Sequence, residues 1–194
     1  MTSKATVRRA THEGRFPHPR SLPTSSTWAD IKPCPDVPVI LQLIHELAAY
    51  ERATHEVLAT NESLSSTLSF PSSPNRGYAH TLLIIDPDST VAGMALYFTN
   101  YSTWRAAPGI YLEDLFIRPA YRKRGYGKRL LGELAREVVG IGGKRLEWSV
   151  LRWNEPSIKF YESLGAKAME EWMGMRVDGE GLEKMSEMGK GVEG

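Results

Sequence analysis

Six basic residues and no acidic one fall between Arg118 and Arg129 of this 194-residue chain: Arg118, Arg122, Lys123, Arg124, Lys128 and Arg129. Within that stretch, Arg122-Lys123-Arg124-Gly125-Tyr126-Gly127 reads as a glycine-containing turn that opens directly into a helix. Successive backbone N–H groups of such a turn point outward, the helix dipole adds partial positive charge, and two glycines let a ligand approach closely. Together these make an anion site suited to a pyrophosphate. The same residues also fit a plain basic helix N-terminus with glycines for turn geometry, so the turn alone does not decide. It lacks the Gly-Lys-Ser/Thr ending of an ATP-type phosphate loop, and its spacing is not the dinucleotide fingerprint.

Acid–base chemistry has candidates on either side of the turn. Glu113 and Asp114 are adjacent on an apolar, β-rich run. Strict strand alternation sends them to opposite faces, whereas a local bulge brings both to one site. Tyr161 lies on a short amphipathic helix, where a core tyrosine and a functional phenol are alternatives. The five histidines, His12, His18, His45, His55 and His80, show no metal spacing, and the single cysteine, Cys34, has no partner. No intrachain disulfide or multi-cysteine zinc site is therefore possible, and no metal is expected.

The elements that must position these residues follow from periodicity. Ala5–Ala10 is a short strand. From Asp36 the apolar residues Ile40, Leu43, Ile44, Leu47 and Ala48 form a helical stripe. Asn61–Phe70 is a weaker helix capped by Thr60 or Asn61. Thr81–Ile85 and Val91–Thr99 are strands joined by Asp86-Pro87-Asp88-Ser89, which predicts an antiparallel hairpin. A third run, Gly109–Ile117, ends before Pro119. The helix after the basic turn buries Leu130, Leu131, Leu134, Ala135, Val138 and Val139, and Gly140, Gly142 and Gly143 stop it. Arg145–Leu151 is the next strand. Asn154 caps a helix with Pro156 in its first turn, Ile158, Tyr161 and Leu164 along it, and Gly165 at its end. Ala166–Val177 is expected to form one or two further strands, and Gly179–Gly194 a frayed tail. This order predicts a mixed α/β layer with a crossover helix between two parallel strands.

Composition bounds the rest. The 41% hydrophobic and 24% charged fractions are those of a globular domain, and the length suffices for a core. A net charge of +1 argues against bulk capture of nucleic acid or an anionic membrane. No apolar run approaches the ~18 residues of a membrane helix, and the N-terminus lacks a secretory signal. The expectation is a cytoplasmic protein with neither nucleic-acid nor membrane partners. Residues His12–Pro35 hold five of the twelve prolines (Pro17, Pro19, Pro23, Pro33 and Pro35) and predict an irregular loop, unusually long for a compact domain.

Three segments taken together carry a resemblance. The strand Tyr111-Leu112-Glu113-Asp114-Leu115-Phe116-Ile117, the turn Arg122–Gly127, and Trp153-Asn154-Glu155-Pro156-Ser157-Ile158-Lys159-Phe160-Tyr161 with Gly165-Ala166 resemble the GNAT acetyltransferases. Within them the match is to the diamine (spermidine/spermine) and thialysine N-acetyltransferase-like branch. It spans roughly Val7–Thr11 and Asp36–Met185. The resemblance implies a central mixed, twisted α/β sheet of about six to seven strands, with helices on both faces and a splay that forms the acetyl-CoA slot. It divides the chain into a first strand (1–11), an inserted Pro/Ser-rich loop (12–35), the remainder of the domain (36–185) and a tail (186–194).

What the resemblance implies about chemistry can be stated residue by residue. Arg122, Lys123, Arg124, Gly125, Tyr126, Gly127 and Lys128 would hold the pyrophosphate of acetyl-CoA. The backbone of Leu115, Phe116 and Ile117 would pair with pantetheine and polarise the thioester carbonyl. Asn154, Ser157 and Tyr161 complete the acetyl-CoA contacts. Tyr161 would protonate the departing thiolate, a transfer that needs proximity more than a large pKa shift, since a thiol sits near ~8.5 and a phenol near ~10. Glu113 would accept or orient the proton of an arriving ammonium, with Asp114, Tyr50, Glu51 and Trp104 around the amine. The cosubstrate is acetyl-CoA, no metal is implied, and the expected partner is a second copy, as a homodimer.

The polyamine-specific members carry an acid in the loop before this strand, but here Phe98-Thr99-Asn100-Tyr101-Ser102-Thr103-Trp104-Arg105 has none. The Tyr101–Trp104 string is more similar to the thialysine-type members. The resulting expectation is direct attack by the primary amine of a small molecule, lysine-like or a diamine/polyamine, on acetyl-CoA in a ternary complex. Acetylation of protein lysines or N-termini is the alternative, and a non-catalytic acetyl-CoA-binding role is the third.

Overall fold

The computed structural model describes residues 4–11, 36–71 and 77–188. The inserted loop expected at 12–35, and the tail beyond 188, lie outside the described residues. The chain divides into two compact units, Met1–Ser149 and Val150–Gly194.

The first unit is built on a five-stranded sheet in the order β1-β2-β3-β4-β5. Its strands are β1 (Thr6–Arg9), β2 (His80–Ile85), β3 (Val91–Ser102), β4 (Ala107–Ile117) and β5 (Leu146–Trp148). The first four pair antiparallel, and β5 joins β4 in parallel. That parallel pair needs a crossover, which α3 (Tyr126–Gly140) supplies. The predicted hairpin at Asp86–Ser89 is present between β2 and β3. The Phe98–Arg105 segment, read from sequence as a loop, is strand as far as Ser102, with the turn confined to residues 103–106.

Helices cover both faces. On one side, α1 (Val37–Glu51) and α2 (Asn61–Thr67) pack Val37, Ile40, Leu43, Leu64 and Leu68 against Leu83, Met94, Leu96 and Phe116 of the sheet. Leu83 and Met94 are cross-strand partners, so they share that face. On the other side, α3 buries Leu130, Leu131, Leu134 and Val138, and its Glu137 accepts a 2.7 Å hydrogen bond from the hydroxyl of Tyr97. Two residues expected on that buried face, Ala135 and Val139, are exposed, Val139 to 76%. At 100° per residue they fall roughly 85° and 125° from the centre of the stripe, beyond what one sheet face covers. The start of α2 is fixed by Thr60, whose side chain accepts from the Ser63 N–H while Ser63 returns a bond to Thr60.

The sheet has five strands among the described residues rather than six to seven. The difference lies at Ala166–Val177, where the sequence predicts strands and the structure has only turns and irregular chain. In the second unit, α4 (Glu155–Glu162) begins at Asn154 and ends near Gly165, whose φ of 90° terminates it as expected. The expected fray after Gly179 is instead a short exposed helix, α5 (Gly179–Ser186). An i, i+4 pair between Glu180 and Lys184 (3.5 Å) lies along it, in the orientation that supports a helix.

Candidate functional site

The basic turn adopts the form its composition implies. Lys123 (φ 62°) and Gly125 (φ 80°) both take the left-handed conformation, and Gly125 is the N-cap of α3. The first backbone bond of that helix runs from Arg129 N–H to Gly125 O (3.0 Å). The N–H groups of Tyr126, Gly127 and Lys128 therefore have no intrahelical acceptor and project from the positive end of the helix. Nothing lies within 4 Å of where a side chain on Gly125 would begin, so the approach to these donors is open.

The six cations divide by use. Arg118 makes a bidentate pair with Glu46 of α1 (Nη2–Oε1 2.9 Å) and donates to Val91 O. Arg129 donates to Ala5 O. Arg124 pairs with Asp86 (2.9 Å) and lies over the Tyr121 ring at 5.0 Å. Arg122 donates from Nε to Ile117 O (3.0 Å), and its guanidinium stands 5.0 Å from the ring centre of Tyr50 and 5.8 Å from that of Phe116. Lys123 and Lys128 remain exposed. Charge alone therefore overstated the cation supply of this turn, because contacts within the protein engage four of the six side chains.

Next to the turn, β4 changes character at Glu113. Asp114 pairs with Leu96 and Leu112 with Tyr97, so Glu113 has no partner on β3. This is the β-bulge expected at this place. Its effect is specific: Leu112 faces α3 with Tyr97, whereas Asp114 faces α1 with Leu96. Without the extra residue the two would share a face. Asp114 is half-buried and Glu113 exposed. Burial pushes the Asp114 carboxyl up to about 6, and the negative charges of Glu113 and Glu51 push in the same direction. Burial also raises Glu51, at the end of α1. Three carboxylates thus converge beside Tyr50 and Phe116, a setting that favours a cationic ligand.

The same strand supplies an open edge. Pairing of β4 with β5 covers only Ile110–Leu146, Tyr111–Glu147 and Leu112–Trp148, then stops. Arg118 N–H donates to Ala92 O on the β3 side. By strand alternation the Ile117 and Leu115 N–H groups point to the opposite edge, where β5 no longer reaches. An unpaired strand edge with outward N–H donors at Leu115 and Ile117 results, with Phe116 between them turned to the core.

The structure thus brings Tyr50, Glu51, Glu113, Asp114, Phe116 and Arg122 together. Trp104 is not among them. It is 88% exposed in the β3–β4 turn, and six strand residues, or roughly 20 Å at the usual rise, separate that end of β4 from Glu113. In the second unit, Asn154 is buried and its side chain accepts from Ser157 N–H (3.4 Å). Tyr161 is half-buried against Phe160, with ring centres 5.4 Å apart. Sequence reasoning missed the buried carboxylate of Asp86 and the Glu46–Arg118 pair, for which spacing along the chain carries no signal. No group of three or more metal-ligating side chains occurs among the described residues. No helix among the described residues is long and apolar enough to cross a membrane.

An open helix N-terminus, a bulged strand and a short parallel pair are the features of this scaffold, and comparison with known proteins identifies it as that of an acyltransferase. Residues 42–166 match the family model described as acetyltransferase (GNAT) family. The chain is 34% identical to the L-ornithine N5-acetyltransferase NATA1 of Arabidopsis thaliana, over 79% of this chain and 85% of that protein. It is 32% identical to the thialysine N-epsilon-acetyltransferase of Bos taurus, over 76% of this chain and 89% of that one. Among solved structures, an integron cassette protein from the mobile metagenome of V. cholerae superposes with a TM-score of 0.69 at 20% identity, covering 95% of this chain and 99% of that one. The chain belongs to the GNAT acetyltransferase family, in the branch of the thialysine and ornithine enzymes, and it is an N-acetyltransferase.

Proposed function

We propose that this enzyme transfers the acetyl group of acetyl-CoA to the primary amine of a small molecule of lysine or ornithine type, or of a short diamine. The convergence of Glu51, Glu113 and Asp114 beside the open edge of β4 carries this reading. A primary amine with a pKa near ~10 arrives as the ammonium, which carboxylates attract, and it must lose a proton before its lone pair can attack. Asp114 suits that task better than an ordinary carboxylate, because an acceptor whose pKa is about 6 is a stronger base. Glu113, exposed on the bulge, and Glu51 then orient the ammonium and keep Asp114 basic. The names of the relatives, which specify an ornithine N5 and a thialysine Nε amine, support the same class. The absence of an acid from Phe98–Arg105 weighs against a long polycation.

The residues present fit an acetyl-CoA cosubstrate. The N–H groups of Tyr126, Gly127 and Lys128, with the side chains of Lys123 and Lys128, would hold the pyrophosphate, and the edge N–H groups of Leu115 and Ile117 would face pantetheine and the thioester oxygen. When bound, this group supplies the activated acetyl carbon. Asn154 and Ser157 are assigned to pantetheine, and Tyr161 to delivery of a proton to the leaving sulfur. We also propose that the protein works as a cytoplasmic homodimer, a reading that rests on the family resemblance and is checked by sedimentation equilibrium.

Free-thiol release with acetyl-CoA and a panel of thialysine, lysine, ornithine, diamines, polyamines and a lysine peptide tests the reading. Turnover is expected with the small amines and a loss of about 100-fold in Tyr161→Phe. Turnover confined to the peptide would instead support acetylation of protein amines.

A further inference from the structure

We propose that Asp86, in the β2–β3 hairpin, is a positioning residue that holds the Arg122–Lys128 turn in its pyrophosphate-binding conformation; the inference rests on the reading that this turn binds the pyrophosphate of coenzyme A. Asp86 is a buried carboxylate, only 7% exposed, and it lies 38 residues before Arg124, which it contacts in the turn. One of its oxygens, Oδ1, accepts from two residues of the turn, Arg124 Nη1 at 2.9 Å and the Tyr126 hydroxyl. Those residues flank Gly125, whose left-handed backbone aims the N–H groups of the helix start. Pinning positions 124 and 126 to a single atom restricts the backbone between them.

The hairpin end is itself tightly tied. Asp86 N–H donates to Thr90 O and Ser89 N–H to Asp86 O, both at 2.9 Å, and Thr90 N–H donates to the Asp88 carboxylate at 2.8 Å. A second strut runs in parallel: Tyr121, under the Arg124 guanidinium, donates its hydroxyl to Asp88 at 3.3 Å. Arg124 also donates to Ala120 O at 3.2 Å, which fixes its guanidinium plane. Both its charge and its geometry are committed to the hairpin. In this arrangement Arg124 is a structural pin, and phosphate affinity comes from backbone donors held ready before the ligand arrives. Preorganisation of that kind lowers the ordering cost of binding.

The contribution of Asp86 should therefore depend on whether the ligand carries a pyrophosphate. Calorimetric titration of coenzyme A into the Asp86→Ala protein should give a dissociation constant about tenfold weaker than wild type. In steady-state assays, kcat/KM should fall about tenfold with acetyl-CoA but by less than about twofold with acetyl-pantetheine, which lacks the pyrophosphate. Tyr126→Phe should show the same pattern at smaller size, and it replaces Asp86→Ala if that variant does not fold. Equal losses with both donors would overturn the proposal in favour of a general structural role. Unchanged affinity would overturn it too, as would tighter binding through an Arg124 released onto the phosphates. Wild-type protein that binds coenzyme A no better than pantetheine would instead remove the underlying assignment of the turn.

Discussion

What the Arg122–Lys128 turn offers a ligand is backbone: three N–H groups without an intrahelical acceptor, a helix dipole and a glycine in a left-handed conformation. The carboxylate wall of Glu51, Glu113 and Asp114 offers side chains drawn from two elements. The two regions adjoin through Arg122, whose guanidinium leaves the turn and lies over Tyr50 at the foot of the wall. A backbone site tolerates changes of side chain and fails when the chain path changes. A side-chain site depends on the charges at particular positions, and here Glu51 and Glu113 both raise the proton affinity of Asp114.

Breaking the wall should therefore cost most. Asp114→Asn removes the proposed proton acceptor, and kcat/KM for the amine is expected to fall about 100-fold while the KM for acetyl-CoA stays within about twofold. The same variant should be more stable than wild type at neutral pH. A folded pKa of about 6 against the ordinary value of 3.8 means that the native state holds the proton more tightly, so stability falls as pH rises between those values. Asparagine mimics the protonated form and avoids that loss. A thermal midpoint raised by about 2–4 °C at pH 7.5, with no gain at pH 3.5, is the expected signature.

Distorting the turn comes next. Gly125→Val places a β-branched residue at φ 80°, where L-residues are strained by about 1–2 kcal/mol, so the KM for acetyl-CoA should rise about tenfold or more. The wall should be spared, which is checked by an unchanged acid limb in the pH profile of kcat/KM. In wild type that limb should rise through about pH 6 and then level. Glu113→Gln, which removes one of the charges raising Asp114, should shift the limb towards lower pH and lower kcat/KM only a few-fold. The smallest effect is expected from Lys123→Ala: about a twofold rise in KM for acetyl-CoA that fades with added salt, since an exposed cation is screened. A loss as large as that of Gly125→Val would show that side-chain charge, rather than backbone, carries this site.

The legibility of these regions in the sequence differs for the same reason. The turn could be read because glycine spacing, basic residues and the start of a helical period are local properties, and residues 122–127 display all three. The crossover helix and the β2–β3 hairpin were legible on the same terms. The cation count was misleading, because Arg118, Arg124 and Arg129 are held by Glu46, Asp86 and Ala5 O, partners far away in sequence. The family resemblance singled out Glu113 and Asp114 and pointed to Glu113 as the base, but the case for Asp114 was not legible there. It depends on the bulge that turns Asp114 towards α1, and on burial that no pattern of neighbours reports. Ala166–Val177 shows the converse failure: strand-like composition without a strand, because sheet structure needs a partner edge as well as propensity.

By itself, then, the sequence determined where a helix could open onto an anion, which strand carried adjacent acids and which family the three motifs resembled. All of these are set by residue type at short separation. Only the tertiary structure decided which charges were available and which carboxylate was buried. Both depend on distance and solvent exclusion, and those arise only when residues tens of positions apart are packed against one another.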